Sequence, residues 1–330
     1  MSDESEAWAF PKDAQPKREG VGFDLDRALS SVLSLRSQIP DDAFSTATLG
    51  SERAGNGVVI GADGLVLTIG YLITEAASVW LVSAAGAATP AHVVGYDQVT
   101  GFGLVQALGR LDVPAIELGR SGDTRVGDEV IIAGEGGRAH ALTAEIVSKR
   151  EFAGYWEYLL DEAIFTAPPH PSWGGAALIG GDGALCGIGS LLVQEAEGPG
   201  RRSGQAQDGN MFVPIDLLPP ILDDLVRFGK VDRPPRPWLG LFATEAEGGL
   251  VVSGLASGAP AARADLRVGD VVLKVAGAPI ADLAEMFRRI WLLGTAGTLI
   301  PLTISRDGAE FTVAVESADR NSFLKPPGLH

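Results

Sequence analysis

Short apolar runs, each closed by a glycine-bearing turn, recur from residue 56 to residue 193, and no other feature constrains the fold as tightly. NGVVIGADGLVLT, residues 56–68, places two such runs on either side of a Gly-Ala-Asp-Gly turn. This is a hairpin signal, because glycine takes the positive φ values that tight turns demand. The same grammar continues through SVWLVSAAG, TPAHVVGYD, FGLVQAL, RVGDEVIIAG, HALTAEIVS, EAIFTA and GALCGIGSLLV. Strand candidates this short and this closely spaced predict barrels or a sandwich. The 43 Gly and 20 Pro among 330 residues agree, since they favour turns over long bundled helices. A chain of this length exceeds one comfortable core, so two or three domains are expected.

The organisation along the chain follows. Residues 1–22 form a polar tail without the apolar core of about 7–15 residues that a secretory leader needs. No run approaches the roughly 20 apolar residues of a membrane span. The expectation is a cytoplasmic protein, or a periplasmic one if a leader has been removed. Trp8, Phe10 and Phe23 stand out in this polar stretch, either packing back on their own chain or docking on another subunit. Residues 23–39 read as a short helix running into a strand. Residues 216–230, DLLPPILDDLVRFGK, have helical periodicity, with Leu217, Ile221, Leu225 and Phe228 on one face and both prolines in the first turn. Residues 195–210 are a polar, glycine-rich loop. A first domain over 23–230 thus ends at the linker VDRPPRP, residues 231–237, whose three prolines stiffen it. Residues 238–318 combine short strands with one amphipathic helix, DLAEMFRRIWLL, and predict a small α+β domain. A polar tail, 319–330, follows.

Charge and reactive side chains narrow the function. Lys plus Arg is 26 and Asp plus Glu is 42, a formal charge of −16 that argues against nonspecific nucleic-acid binding and against anionic membrane surfaces. Residues 151–200 hold seven carboxylates and no Lys or Arg, which is either an acidic face for a basic partner or a solvated surface. The single cysteine, Cys186, lies in an apolar strand and reads as a buried, inert thiol. Any Ser–His or zinc mechanism must be built from His92, His140, His170 and His330. His92 and His140 read as strand histidines and His330 is terminal. No metal or cofactor is expected.

Five segments in order then carry a resemblance. AGNGVVIGADGLVLT looks like an opening hairpin that ends in a Thr-Asn-x-His-Val-Val motif. HVVGYDQVTGFGLVQ looks like a stretch ending in Thr-Asp-Leu-Ala-Leu-Leu. LGRSGDTRVGDEVIIAG looks like Leu-Gly-x-Ser-x-x-x-x-Val-Gly-Asp, and GGAALIGGDGALCGIGS like Ser-Gly-Gly-Pro-Leu with its glycine turn. MFVPIDLLPPILDDLVRFGKV looks like a closing Phe-Ala-Ile-Pro segment and its helix. Together, from about Arg53 to Glu316, these resemble the HtrA family of trypsin-like serine proteases. The resemblance implies a mainly-β fold, a double six-stranded β-barrel followed by a PDZ domain.

It does not carry the family's chemistry with it. A serine triad needs an attacking serine, a neutral imidazole to take its proton, and a carboxylate to hold that imidazole. By position these fall on Gly174, Tyr71 and Gly101. A phenol with an ordinary pKa of about 10 is a poor general base, and glycine offers no side chain. A displaced pair remains as the alternative. Ser172 and His170, two residues apart in an extended loop, point the same way and are able to touch. Against this, Pro169, Pro171 and Trp173 surround them, so the preferred reading is a proline-rich loop that plugs the cleft with Trp173. Trp173 also stands where the family's oxyanion loop has a small polar residue.

The PDZ resemblance is better kept. WLGLF matches the carboxylate-binding loop, so the resemblance places Leu239, Gly240 and Leu241 there. Leu283 and Phe287, one helical turn apart, would line the pocket for a terminal side chain or else fill the core. Trp238 either shields that loop or packs under it. The expected function is a catalytically inactive HtrA-like scaffold or regulator that binds peptide or protein C-termini through the PDZ groove. The family's habit implies a homo-oligomer, a trimer joined through the N-terminal aromatics. The alternative is a divergent serine endopeptidase using Ser172 and His170.

Overall fold

The glycine turns close the apolar runs into two barrels. A computed structural model describes residues 8–194, 208–246 and 249–326. A short helix, α1 (Leu25–Ser30), starts where the Asp24 side chain accepts from the Arg27 N–H, and feeds strand β1 (Val32–Gln38). After α2 (Thr46–Leu49) come β2 (Glu52–Val59), β3 (Leu65–Ile69), β4 (Ser78–Val82), β5 (Ala88–Tyr96) and β6 (Phe102–Ala107). These close in the order β1-β2-β3-β6-β5-β4. The second barrel is built from β7 (Glu129–Ala133), β8 (Ala141–Gly154), β9 (Tyr158–Ala167), β10 (Ala177–Ile179), β11 (Leu185–Val193) and β12 (Gly209–Pro214), in the order β10-β11-β12-β9-β8-β7. Closure removes the exposed strand edges that an open sheet of this size would present.

Each barrel is filled by its inward side chains. Leu33, Leu35, Val58, Leu67 and Leu104 are fully buried in strands of the first barrel. Val130, Ile132, Ile146, Ile164, Leu178 and Phe212 pack together in the second, with Cys186 among them. Burial pushes the Cys186 thiol up to about 11, with the Asp182 charge adding to the effect, so it stays protonated and inert. Helix α3 (Pro219–Phe228) follows, with proline in its first turn and Ile221 and Leu225 buried. Phe228, placed on that apolar face by the periodicity, is 63% exposed at the last helical position, and Leu218 is buried instead.

The strands after residue 237 form a separate sheet. It comprises β13 (Leu241–Ala246), β14 (Gly249–Leu255), β15 (Val271–Val275), β16 (Ala278–Pro279), β17 (Leu299–Arg306) and β18 (Ala309–Glu316), with α4 (Pro260–Arg263) and α5 (Leu283–Leu292). The order is β13-β14-β15-β17-β18, with β16 off β15, which leaves β13 at an edge. Asp282 caps α5 by accepting from the Glu285 N–H, while Glu285 accepts from Ala281 N–H, a reciprocal start that fixes where the helix begins.

The chain divides into two compact units, and the second is discontinuous. It takes residues Asp232–Lys325 together with Glu151–Asp161, the tip of the β8–β9 hairpin. Its core contains Leu239, Leu241, Leu283, Phe287, Ile290 and Leu302, and Leu159 from the hairpin tip belongs to the same cluster. Most of residues 195–210, expected as a loop, lie outside the described residues, while Gly209 and Asn210 begin β12. Among the described residues no helix is long and apolar enough to cross a membrane.

Candidate functional site

The three positions assigned to a triad converge, and they do so around a phenol. Tyr71 sits in the 3-10 turn of residues 70–72 that follows β3. Arg53 on β2 holds this turn by donating to the Tyr71 carbonyl at 2.7 Å and the Thr74 carbonyl at 3.1 Å. The guanidinium is buried, which lowers its pKa to about 10, and the Glu75 charge opposes that shift. Glu75 in turn accepts from the Phe44 and Ser45 N–H groups. The Gly70 N–H donates to the Gly101 carbonyl at 2.7 Å, so the position expected for a carboxylate contributes backbone only.

A Cβ added to Gly174 would lie 2.9 Å from the Tyr71 Oη. The phenol hydroxyl therefore crowds the space in which a side chain at residue 174 would begin. Its hydroxyl donates to the Ser190 carbonyl at 2.9 Å and accepts from the Trp173 side chain. Burial drives the phenol well above its ordinary range despite that indole, so Tyr71 is a fixed donor and not a base.

His170 and Ser172 are in contact, though not through the serine hydroxyl. The Ser172 backbone N–H donates to His170 Nδ1 at 3.0 Å, and His170 Nε2 lies 3.0 Å from the His140 carbonyl. Nδ1 is thus the acceptor and Nε2 carries the proton, which commits both ring nitrogens. Burial lowers the His170 pKa, more than its bonds to His140 and Ser172 raise it, and keeps the ring neutral. Asn210 pins the backbone, accepting from the His170 N–H at 2.6 Å and donating to its carbonyl at 3.2 Å. One backbone amide of the loop is thereby turned onto this ring.

The organising residue of the loop is Asn56, buried on β2, which the hairpin pattern does not single out. Its Nδ2 donates to the Ser172 carbonyl at 2.9 Å, the Ser172 Oγ at 3.2 Å and the Gly174 carbonyl at 3.1 Å. Its Oδ1 accepts from the Glu135 N–H at 2.9 Å. An asparagine buried in a strand between glycines was the available signal, because such a group must find partners. Gly175, at φ +73°, approaches so closely that a Cβ there would fall 1.9 Å from the Asn56 carbonyl oxygen.

The cleft is not plugged, contrary to the sequence expectation. An open cavity of about 620 Å³ remains, lined by Trp8, Gly55, Tyr71, Leu72, Trp173 and Gly174 among others, with no charged side chain in its wall among the described residues. Trp173 forms part of the wall because its indole is drawn to the Tyr71 hydroxyl. The N-terminal aromatics pack on their own chain. Trp8 lies 4.7 Å from the His140 ring and 5.7 Å from the His170 ring, and Phe10 lies 5.1 Å from His170. Phe23 lies over the Gly183 turn. His140 ends a 3-10 turn just before β8, while His92 is an exposed strand residue.

The second unit holds a complete carboxylate-binding loop, and it is filled. The N–H groups of Leu239, Gly240 and Leu241 all donate to the side chain of Glu157, at 3.1, 2.6 and 3.0 Å. Gly240, at φ +69°, makes the turn that aligns these donors, and a Cβ there would strike Ala259 at 2.2 Å. Trp238 packs under the loop, buried, with its ring 5.0 Å from that of Phe323. Glu157 is buried, and burial raises its carboxyl to about 7 against the three amide bonds and the Arg320 charge that favour ionisation. Leu283 and Phe287 both belong to the core, Phe287 with no exposed surface and its ring stacked 5.7 Å from Trp291.

The expected acidic face is also partly consumed internally. Glu151 and Asp161 both pair with Arg288, and Glu162 pairs with Lys149 at 3.1 Å. Glu195 and Glu197 lie outside the described residues.

Two closed six-stranded barrels ahead of a sheet-and-helix unit with a backbone carboxylate loop define a trypsin-like protease fold followed by a PDZ fold. Family comparisons agree, matching a trypsin-like peptidase domain over residues 55–188 and a PDZ domain over residues 237–316. The chain accordingly has a trypsin-like β-barrel domain followed by a PDZ domain, an organisation similar to that of DegP-like relatives. It is 29% identical, over 84% of its length, to a protein of Pseudomonas fluorescens called "Probable periplasmic serine endoprotease DegP-like", and covers 59% of that relative. It is 24% identical to "Serine protease Do-like HtrA" of Bacillus subtilis, over 93% of this chain and 74% of the relative. The chain thus spans a little over half the length of the Pseudomonas protein. Among solved structures, "HtrA-type protease AlgW with decapeptide" shares the fold at 23% identity and a TM-score of 0.52, covering 92% of this chain and 98% of that one.

Proposed function

We propose that the chain is a catalytically silent HtrA-like protein, a scaffold or regulator that binds peptide or protein C-termini through its PDZ groove. The observation that carries the reading is the steric exchange at the cleft: Tyr71 Oη stands 2.9 Å from where a Cβ of residue 174 would be. Acyl transfer needs a nucleophile, a base and stabilisation of the oxyanion. The matching positions offer a glycine, a buried phenol and a backbone turned onto an imidazole. For the binding half, the loop of residues 239–241 presents three aligned N–H groups to a carboxylate, and β13 is an edge strand of the kind that accepts an added strand. An HtrA-type relative has been solved with a decapeptide, which favours the same use here.

The competing reading, a serine endopeptidase using Ser172 and His170, draws support from their adjacency and from the open cleft. It requires His170 Nδ1 to exchange the Ser172 N–H for the Ser172 hydroxyl. A fluorophosphonate probe and casein turnover separate the two. The expected result is neither labelling nor turnover; covalent labelling abolished by Ser172→Ala would establish the protease.

A homo-oligomer, a trimer by family resemblance, is part of the proposal. Trp8, Phe10 and Phe23 pack on their own chain, so native mass measurement on a Trp8→Ala variant tests whether that segment also joins subunits. For compartment, the name of the Pseudomonas relative points to the periplasm, and cell fractionation separates that from a cytoplasmic protein.

A further inference from the structure

Glu157 is an unusual residue to find at the bottom of a carboxylate-binding loop. It lies at the turn of the β8–β9 hairpin with φ +61°, in the left-handed region that residues other than glycine seldom adopt. Its side chain collects all three amides of the loop, the donors a peptide's terminal carboxylate would need. Nothing local in YWEY foretells this, since the bonds span more than eighty residues of sequence.

The rest of the tip follows the carboxylate into the same groove. Leu159, two residues on, belongs to the core cluster that includes Leu239, Leu241, Leu283 and Phe287. Tyr155 sets its ring edge-on against Phe242 of β13, at 6.0 Å. Arg288 of α5 pairs with Glu151 and Asp161, one on each strand of the hairpin. Both elements that would flank an added peptide, the β13 edge and α5, therefore already hold the hairpin tip. The four attachments are independent in kind: amide to carboxylate, apolar burial, ring on ring, and an ion pair.

We propose that residues 151–161 are the resident ligand of this PDZ groove, with Glu157 standing in for a terminal carboxylate and Leu159 for an apolar last side chain, so that an external C-terminus enters only by displacing the tip. The inference rests on the peptide-binding reading above and deepens it. It sets the chemistry of the displacing ligand as a free terminal carboxylate on an apolar residue. It also makes binding a competition.

The test uses the full chain and dye-labelled peptides ending in Val, Leu or Phe, each with a free or an amidated terminus. Glu157→Ala should bind the free-acid peptides about tenfold more tightly or better, since removing an occupied state raises apparent affinity by the fraction it held. The amidated peptides should gain little. Arg288→Ala loosens the tip without altering the loop and should give a smaller gain in the same direction. A measurement without peptide accompanies these, hydrogen exchange at the Leu239, Gly240 and Leu241 amides, which should lose protection about tenfold in Glu157→Ala. Equal affinity with unchanged protection would overturn the resident ligand and leave peptide binding intact. Lost protection with no peptide bound by any variant would uphold the resident ligand and overturn the peptide-binding reading.

Discussion

At the scale of single residues, two side chains decide what the molecule does, and each fills a place made for something else. Tyr71 Oη stands 2.9 Å from where a Cβ of residue 174 would lie, so on the proposed inactive reading a single substitution is not expected to produce chemistry. Gly174→Ser alone is expected to remain inactive towards fluorophosphonate, because its Cβ meets the Tyr71 hydroxyl. Only a variant that also replaces Tyr71 with His and Gly101 with Asp should label at all. Glu157 brings a pH dependence whose sign can be worked out. Burial raises its carboxyl from an ordinary 4.5 to about 7 when docked. Docking thus takes up a proton between those values, is favoured below them, and weakens as pH rises through 7. A rise of that size corresponds to roughly three hundredfold in the docking equilibrium across the window. Protection of the 239–241 amides should fall between pH 5 and pH 8 beyond the intrinsic exchange trend, and Glu157→Gln should flatten the profile. The Arg320 charge acts on Glu157 in the opposite sense, favouring its ionised form.

At the scale of elements, the loop from 170 to 175 is held by Asn56 from the first barrel and Asn210 from the second. Asn56→Ala would leave several buried groups without a partner, and a loss of about 2–4 kcal/mol is expected by chemical denaturation. Gly175→Ala should cost at least as much, through both its φ and its collision with the Asn56 carbonyl. These elements also show what the sequence made legible. The strands, the α1–β1 junction and α5 could be read because alternation, caps and glycine turns are local signals. The triad positions could be assigned because flanking motifs fixed the register. That Tyr71 and Gly174 are one steric exchange could not be read, since the two meet only once both barrels have closed. Phe228 was misplaced because periodicity does not say where a helix stops meeting its neighbours. Glu157 left no local trace at all: a glutamate in an aromatic turn reads as solvated surface until a distant loop supplies its donors.

At the scale of the whole molecule, each unit has its own apolar core, and two calorimetric transitions are expected. In the second unit Arg306 donates to both oxygens of the buried Asp270, at 2.6 and 2.7 Å, and holds that carboxyl below its usual range. A lowered pKa contributes stability that is present above the unfolded value and lost as pH falls through the folded one. The second unit's transition should therefore drop in acid below about pH 4, and Asp270→Asn should lower it at neutral pH while changing it little in acid. The hairpin tip has a different consequence for the molecule. Glu157 is tethered to the loop it fills, so dilution never empties that loop. A tethered group acts at an effective concentration on the order of millimolar. On the resident-ligand proposal an incoming C-terminus would face that figure at any protein level, and the groove would work as a threshold. It would stay closed to stray peptide ends and yield to a partner that is abundant, unusually tight, or presents many ends at once.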